Sequence, residues 1–308
     1  MNFKFQILAI SKIDLQDRTY LFSYPKRNIF LSESIASLGL LQPPIVFKEK
    51  SSYKIICGEG RIIACKELGI KEIPVFLVKN LTPKELLSLS LESNLFRNLN
   101  LVEKAEFIEK ALKIFSLDEI LKILPKLGFS SSFYWIEFLK KISQLEDLFK
   151  NLLIENKLNP KIVENLSKLD SEEKLEYLKI VQNLSLTFSE QKEVLEKLID
   201  YKKRKDLPSL LPEELKEVLN EQDFNKRREK FFRILKSLFY PSYYIKFQKI
   251  YPTIKKFKDK QITVNLSPYF EEKKLEIQFK AFSFENLKEK IDFIIENKED
   301  LKKVFEEI

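Results

Sequence analysis

The chain has 308 residues, 44% apolar and 32% charged, with 54 Lys plus Arg against 46 Asp plus Glu and no histidine. That is enough for two or three domains with a buried core, and it excludes a compositionally disordered chain. The missing imidazole excludes a Ser-His-Asp triad, a histidine zinc site and a histidine base. Two cysteines, Cys57 and Cys65, exclude a disulfide scaffold and a four-cysteine zinc ribbon, and fit a reducing compartment.

Residues 1 to about 113 read as mixed strand and helix. The opening apolar run, residues 7–10, is too short for a signal peptide, and no run of eighteen apolar residues follows, so a cytoplasmic location is expected. Residues 44–47, 53–57 and 73–78 are β-branched or aromatic runs bounded by turn residues. Residues 32–38 and 61–68 read as helices stopped by Gly39 and Gly69. Thr82-Pro83-Lys84-Glu85 is a capping box with proline at the first helical position, and Asn100 to Glu103 opens a helix in similar fashion.

Residues 114–200 read as almost wholly helical, with a capping box at Ser116 to Glu119, a turn around residues 128–132, a helix over 133–142 and further helices opening near Pro160, Asp170 and Ser189. Residues 201–308 begin with Lys202-Lys203-Arg204-Lys205, continue past Pro208 and Pro212 into a helix over 225–239, then into strands over 262–266 and 275–279 and a helical end over 285–308. The fold class expected is α+β, in three parts: 1–113, 114–200 and 201–308.

The charge is local. Residues 202–260 hold 17 Lys/Arg and 8 Asp/Glu, which leaves the rest of the chain at −1. Nine Phe and Tyr side chains between 231 and 257 share that stretch. Basic groups bind nucleic-acid phosphates and aromatic rings stack on unpaired bases, although a lysine-rich surface over an aromatic core has the same composition. Lys202, Lys203, Arg204, Lys205, Arg227 and Arg228 are the candidate DNA contacts here.

The sharpest motif is Cys57-Gly58-Glu59-Gly60-Arg61, where a strand turns into a helix. A helix start offers unpaired N–H groups to a phosphate, glycines let the backbone approach, and an arginine donates bidentately. About thirty residues on, Glu92-Ser93-Asn94-Leu95-Phe96-Arg97 interrupts an apolar helix with polar groups. This is either a capped helix end or a carboxylate, an amide and an arginine for a metal ion and a phosphate.

Residues 6 to about 113 resemble the N-terminal domain of the ParB chromosome- and plasmid-partition family, of the ParB/sulfiredoxin fold. The likeness is carried by Ser34, Ile35, Gly39, Leu40, Leu41, Gln42 and Pro43, then by the Tyr53 to Arg61 motif, Gly69 to Val75, and Asn94 with Arg97. The helices from 116 to about 200 resemble the family's central helix-turn-helix domain more faintly. The resemblance implies binding and hydrolysis of CTP with Mg²⁺ in a DNA clamp. Gln42, Gly58, Glu59, Gly60, Arg61, Asn94 and Arg97 would hold the nucleotide, and Asn94, with Glu92 nearby, the metal. DNA, a second copy of the chain and a partition ATPase are the implied partners, at the nucleoid and not at a membrane.

The chain departs from the family at three places. Gly60 stands where the motif has its first arginine, a loss of roughly 1.5–3 kcal/mol if that arginine made a charged phosphate contact. Ser93 stands where the metal-holding glutamate is expected. The recognition-helix position carries Ser130, Ser131 and Ser132 and no Lys or Arg before Lys140, so base readout by basic groups is weakened. Besides a nucleotide-switched DNA-associated protein, two readings stay open. One is a phosphoryl-transfer enzyme or nuclease using Glu59 or Glu92 as base or metal ligand. The other is a nonenzymatic interaction scaffold.

Overall fold

Short β-branched runs and capped amphipathic helices divide this chain into a mixed sheet with helices around it, followed by a mainly helical second half. The computed structural model describes residues 2–25, 29–267, 270 and 272–308. It forms two compact units, residues 1–170 and 171–308. The architecture is α+β, with helices dominant.

The first unit holds five strands: β1 (Lys4–Ala9), β2 (Ile13–Asp14), β3 (Ile45–Glu49), β4 (Ser52–Cys57) and β5 (Glu72–Val78). Their order in the sheet is β1-β5-β3-β4-β2. The β1–β5 and β3–β4 pairs are antiparallel, whereas β3–β5 and β2–β4 are parallel. Two helices, α1 (Ile29–Leu38) and α2 (Glu59–Glu67), pack beside each other. Val46, Ile55, Ile62, Cys65, Ile73 and Val75 share one core, each at most 1% exposed.

These pairings bring three distant segments to one edge. β4 ends there at Cys57, antiparallel β3 starts there at Ile45, and β2, parallel to β4, runs toward it. The turn before β3, the start of α2 and the segment after β2 therefore meet.

Helices α3 (Pro83–Glu92), α4 (Leu101–Ala111) and α5 (Leu117–Ile123) each start with a reciprocal capping box, at Thr82/Glu85, Asn100/Glu103 and Ser116/Glu119. Each box satisfies two N–H groups that the helix cannot pair itself. A 3₁₀ turn (Leu124–Leu127) with Pro125 ends α5, and Gly128 closes it in the left-handed region at φ 83°. α6 (Phe133–Ser143), α7 (Asp147–Ile154) and α8 (Val163–Leu166) complete the unit. The 113/114 division drawn from the sequence falls between α4 and α5, inside this unit.

The second unit comprises α9 (Ser171–Leu184), α10 (Phe188–Lys205), α11 (Glu213–Val218), α12 (Phe224–Phe239), α13 (Pro241–Asp259), the antiparallel hairpin β6 (Ile262–Leu266) with β7 (Leu275–Phe279), α14 (Phe284–Glu296) and α15 (Lys298–Glu307). α10 runs through the 200/201 division. The run Lys202 to Lys205 is its last turn, closed by Asp206 at φ 51°. Four cations there oppose the negative end of the helix dipole. α13 is an element that the sequence reading did not contain. Among the described residues no helix is long and apolar enough to cross a membrane.

Candidate functional site

The site starts at the exit of β4. Gly58 caps α2 at φ 95°, a conformation that side chains with a Cβ resist. A Cβ there would lie 2.9 Å from Pro44 Cβ and 2.9 Å from Arg61 Nη2. Glycine is thus required twice, by backbone angle and by the packing of Arg61 over the turn. The N–H groups of Arg61 and Ile62 return to the Gly58 carbonyl at 3.0 and 3.2 Å. Those of Glu59 and Gly60 lie in the first turn, where a helix has no internal acceptor for them. Gly60 is ordinary helix, and a Cβ on it would meet Leu31 Cδ2 at 3.3 Å.

Arg61 is held by its neighbours. Its Nη1 donates to the Gln42 carbonyl at 2.6 Å, and its Nη2 lies 3.7 Å from Cys57 Sγ. Cys57 Sγ also accepts from Asn94 Nδ2 at 3.9 Å and donates to the Ser93 carbonyl at 3.8 Å. Asn94 Oδ1 accepts from Arg97 Nε at 2.9 Å, and Arg97 Nη1 pairs with Glu103 at 2.7 Å. One chain of contacts thus joins Gln42, Arg61, Cys57, Asn94, Arg97 and Glu103, six residues drawn from four segments. Burial pushes the Cys57 thiol up, against the pull of the Arg61 and Arg97 charges. Cys65, by contrast, is plain core, its thiol raised by burial alone.

Glu59 faces inward. It is 4% exposed, and one carboxylate oxygen pairs with Arg18 while the other, Oε2, is buried with no hydrogen-bond partner among the described residues. Arg18 is itself fixed: its Nη2 donates to the Ser23 carbonyl at 3.1 Å, and its carbonyl accepts from Lys110 Nζ at 2.8 Å. Arg18 and Glu103 belong to this network, and sequence reasoning named neither as a site residue. The signal for Glu103 was present, because its capping-box position put a carboxylate six residues from Arg97. Arg18 had no such signal.

Glu92 stands apart from Asn94. It is half exposed and ion-paired with Lys126. The acids here make a poor cage for Mg²⁺: Glu59 and Glu103 are each paired with an arginine, and Glu92 with a lysine. Among the described residues no group of three or more His, Cys, Asp or Glu side chains could hold a metal ion. The acids thus form no ready-made metal cage among the described residues, and no chemical step is drawn through the implied metal.

The candidate DNA contacts fall in two places. In the first unit, Ser130 Oγ accepts from Trp135 Nε1 at 3.0 Å, Ser131 Oγ donates to the Leu121 carbonyl at 2.9 Å, and Ser132 caps α6. All three serines thus brace the turn between α5 and α6. The face of α6 beyond them is aromatic, with Phe133 and Tyr134 56% and 59% exposed. In the second unit, Lys202 pairs with Glu173, Arg204 with Asp200 at 2.9 Å, and Arg228 with Glu190. Arg227 Nη1 donates to the Glu221 carbonyl at 2.8 Å. Lys203 and Lys205 are exposed at the end of α10.

Residues 4–95 match the model of the ParB N-terminal domain. The probable chromosome-partitioning protein ParB of Rickettsia bellii is 37% identical over 158 residues, 50% of this chain and 52% of that protein. A nucleoid occlusion protein of Bacillus cereus is 29% identical over 192 residues, 59% of this chain and 65% of that protein. Residues 4–95 are a ParB-type N-terminal domain. The ParB of Myxococcus xanthus, 37% identical over 117 residues, covers 38% of each chain. The chain thus spans less than two thirds of the length of these relatives. Among solved structures, truncated Caulobacter crescentus ParB complexed to the centromeric parS site aligns at 18% identity and TM-score 0.34, over 62% of this chain and 99% of that one. The same protein complexed with CTP-γ-S aligns at 19% identity and TM-score 0.25, over 58% and 98%.

Proposed function

We propose that this chain is a DNA-associated ParB-type protein whose N-terminal domain binds CTP as a switch, acting in chromosome or plasmid partition or in DNA-linked regulation. The observation that carries this reading is the start of α2. Gly58 turns the backbone into α2, whose first-turn N–H groups have no acceptor within the helix, and Arg61 lies over the same turn in a contact chain with Asn94 and Arg97. Backbone donors, helix dipole and a guanidinium together suit a phosphate group. A helix-turn-helix over α5 and α6, a homodimer, a partition ATPase partner and a nucleoid location belong to the same reading.

A second reading, a scaffold that keeps the fold without the nucleotide, is favoured by Gly60 in place of an arginine and by the pairing of Glu59, Glu92 and Glu103 with cations. Calorimetry of the full chain with CTP, with and without duplex DNA, separates the two. The switch reading expects saturable binding that Arg61→Ala weakens at least tenfold. No heat at millimolar CTP leaves the scaffold, and saturable binding that Arg61→Ala does not change would overturn the site at the start of α2.

A further inference from the structure

We propose that the cleft between α12 and α13 in the second unit binds single-stranded DNA. The cleft measures about 840 Å³, within the range of clefts that enclose ligands. One wall is an aromatic ladder on α13: Tyr243, Phe247 and Tyr251, four residues apart and so on one helix face. Successive ring centroids lie 5.8 and 5.7 Å apart, the first pair inclined by only 22°. Tyr251 is 49% exposed, so the ladder ends in a ring that water still reaches.

The facing helix supplies charge. Arg233 and Lys236 line the cleft, are exposed, and make no ion pair among the described residues. Arg228 sits deeper. It pairs with Glu190, donates to the Leu184 carbonyl at 2.7 Å, and lies 5.2 Å from the Phe232 ring centroid. That arginine braces the wall and leaves Arg233 and Lys236 as the cations at the mouth. Residues 224–260, which include both helices, hold twelve Lys/Arg and two Asp/Glu.

This combination selects the occupant. The lining itself holds Arg228, Arg233 and Lys236 against Glu190 and Glu229, and Arg228 is paired with Glu190. A second copy docking the same face on itself would bring Arg233 and Lys236, unpaired among the described residues, toward their own kind, which costs affinity. A polyanion is attracted, and duplex DNA would satisfy the cations but not the rings, because its bases are stacked inside. A single strand offers phosphates to Arg233 and Lys236 and base faces to the ladder, the pairing that sequence-tolerant strand binders use. The choice of DNA over RNA rests on the DNA-associated reading above. The preference for a single strand does not.

The test is fluorescence anisotropy of the full chain with a labelled oligothymidylate, against a duplex and an RNA of the same length, over a salt series. The proposal expects the single strand to bind more tightly than the duplex. Tyr251→Leu should weaken it about tenfold, and Tyr251→Phe, which keeps the ring, should bind as wild type. Arg233→Gln with Lys236→Gln should flatten the slope of log affinity against log salt by about 1.4, the value for two lost phosphate contacts on a single strand. Arg61→Ala should bind the strand unchanged, so loss of the nucleotide site and loss of the cleft are told apart. Absence of strand binding, equal binding by Tyr251→Leu and wild type, or stronger binding to the duplex would overturn the proposal. Tighter binding to RNA would overturn the choice of DNA.

Discussion

Arg18 closes on Glu59 across forty-one residues of sequence, placing a guanidinium from the segment after β2 against a carboxylate that is 4% exposed at the start of α2. The second oxygen of that carboxylate has no hydrogen-bond partner among the described residues. Removing Arg18 would therefore leave a buried, uncompensated charge. Arg18→Met is expected to cost about 3–5 kcal/mol, the range for breaking a buried pair from one side. Adding Glu59→Gln to it should recover part of the loss. Urea unfolding of the two single variants and the double variant checks this, and strictly additive losses would count against the pairing as described.

The two glycines of the turn should respond oppositely to alanine. Gly58→Ala meets a left-handed φ, Pro44 and Arg61 together. It is expected to lose about 2–5 kcal/mol, from roughly 1–2 for the backbone and 1–3 for the crowding. Gly60→Ala lies in helix and meets only the end of Leu31 at 3.3 Å. It should gain up to about 1 kcal/mol from helix propensity, provided Leu31 yields. Equal losses at the two positions, measured by chemical denaturation, would contradict the turn geometry.

Glu119 gives a dependence on acid. Its hydrogen bond from Lys84 and those from Ser116 lower its pKa from 4.5 to about 2. A carboxylate held lower in the folded chain contributes stability that is complete above about 4.5 and is lost as pH falls toward about 2. Glu119→Gln should be less stable than wild type at neutral pH, and the gap should close through that window. Denaturation midpoints of the two proteins at pH 7, 4 and 2.5 measure it. A gap that stays constant would show that the carboxylate is not the group responsible.

Both thiols should be silent in the native chain. Cys57 and Cys65 are 6% and 0% exposed, and burial raises both above the ordinary thiol range. A neutral, covered thiol is a poor nucleophile. An aromatic disulfide reagent at pH 7 should find no rapidly reacting thiol in folded protein and two per chain in denaturant. Rapid native labelling of Cys57 would mean that its contacts to Arg61, Asn94 and Ser93 open readily.

Much of the first unit could be read from residues because its signals are local. Strands over 44–57 and 73–78 show as β-branched runs, the capping boxes are four-residue patterns, and the Gly58 to Arg61 turn carries its glycines openly. Arg18 could not be read because β2 is a two-residue strand with no alternation to detect, and it is tertiary contacts, the parallel pairing with β4 and the bonds to Ser23 and Lys110, that set residue 18 against Glu59. α13 escaped for a different reason. Pro241 and Pro252 look like breakers, yet Pro241 occupies the first helical position, where its missing N–H costs nothing, and the helix continues past Pro252. The basic run 202–205 reads in the sequence as a candidate DNA contact, and the structure makes it a helix end with Lys202 and Arg204 in ion pairs.

The meeting of three chain segments at one sheet edge also sets when the Gly58 to Arg61 turn comes into being. Arg18, Gln42, Arg61 and Arg97 are spread over eighty residues of sequence, so no hairpin or helix pair assembles them early. Their contacts need the parallel β2–β4 and β3–β5 pairings, which are among the costliest loops to close. Binding competence should therefore arrive with the last step of folding and not before it. A ligand captured there would draw on the native population alone, slowing unfolding in proportion to its affinity and leaving the refolding rate unchanged.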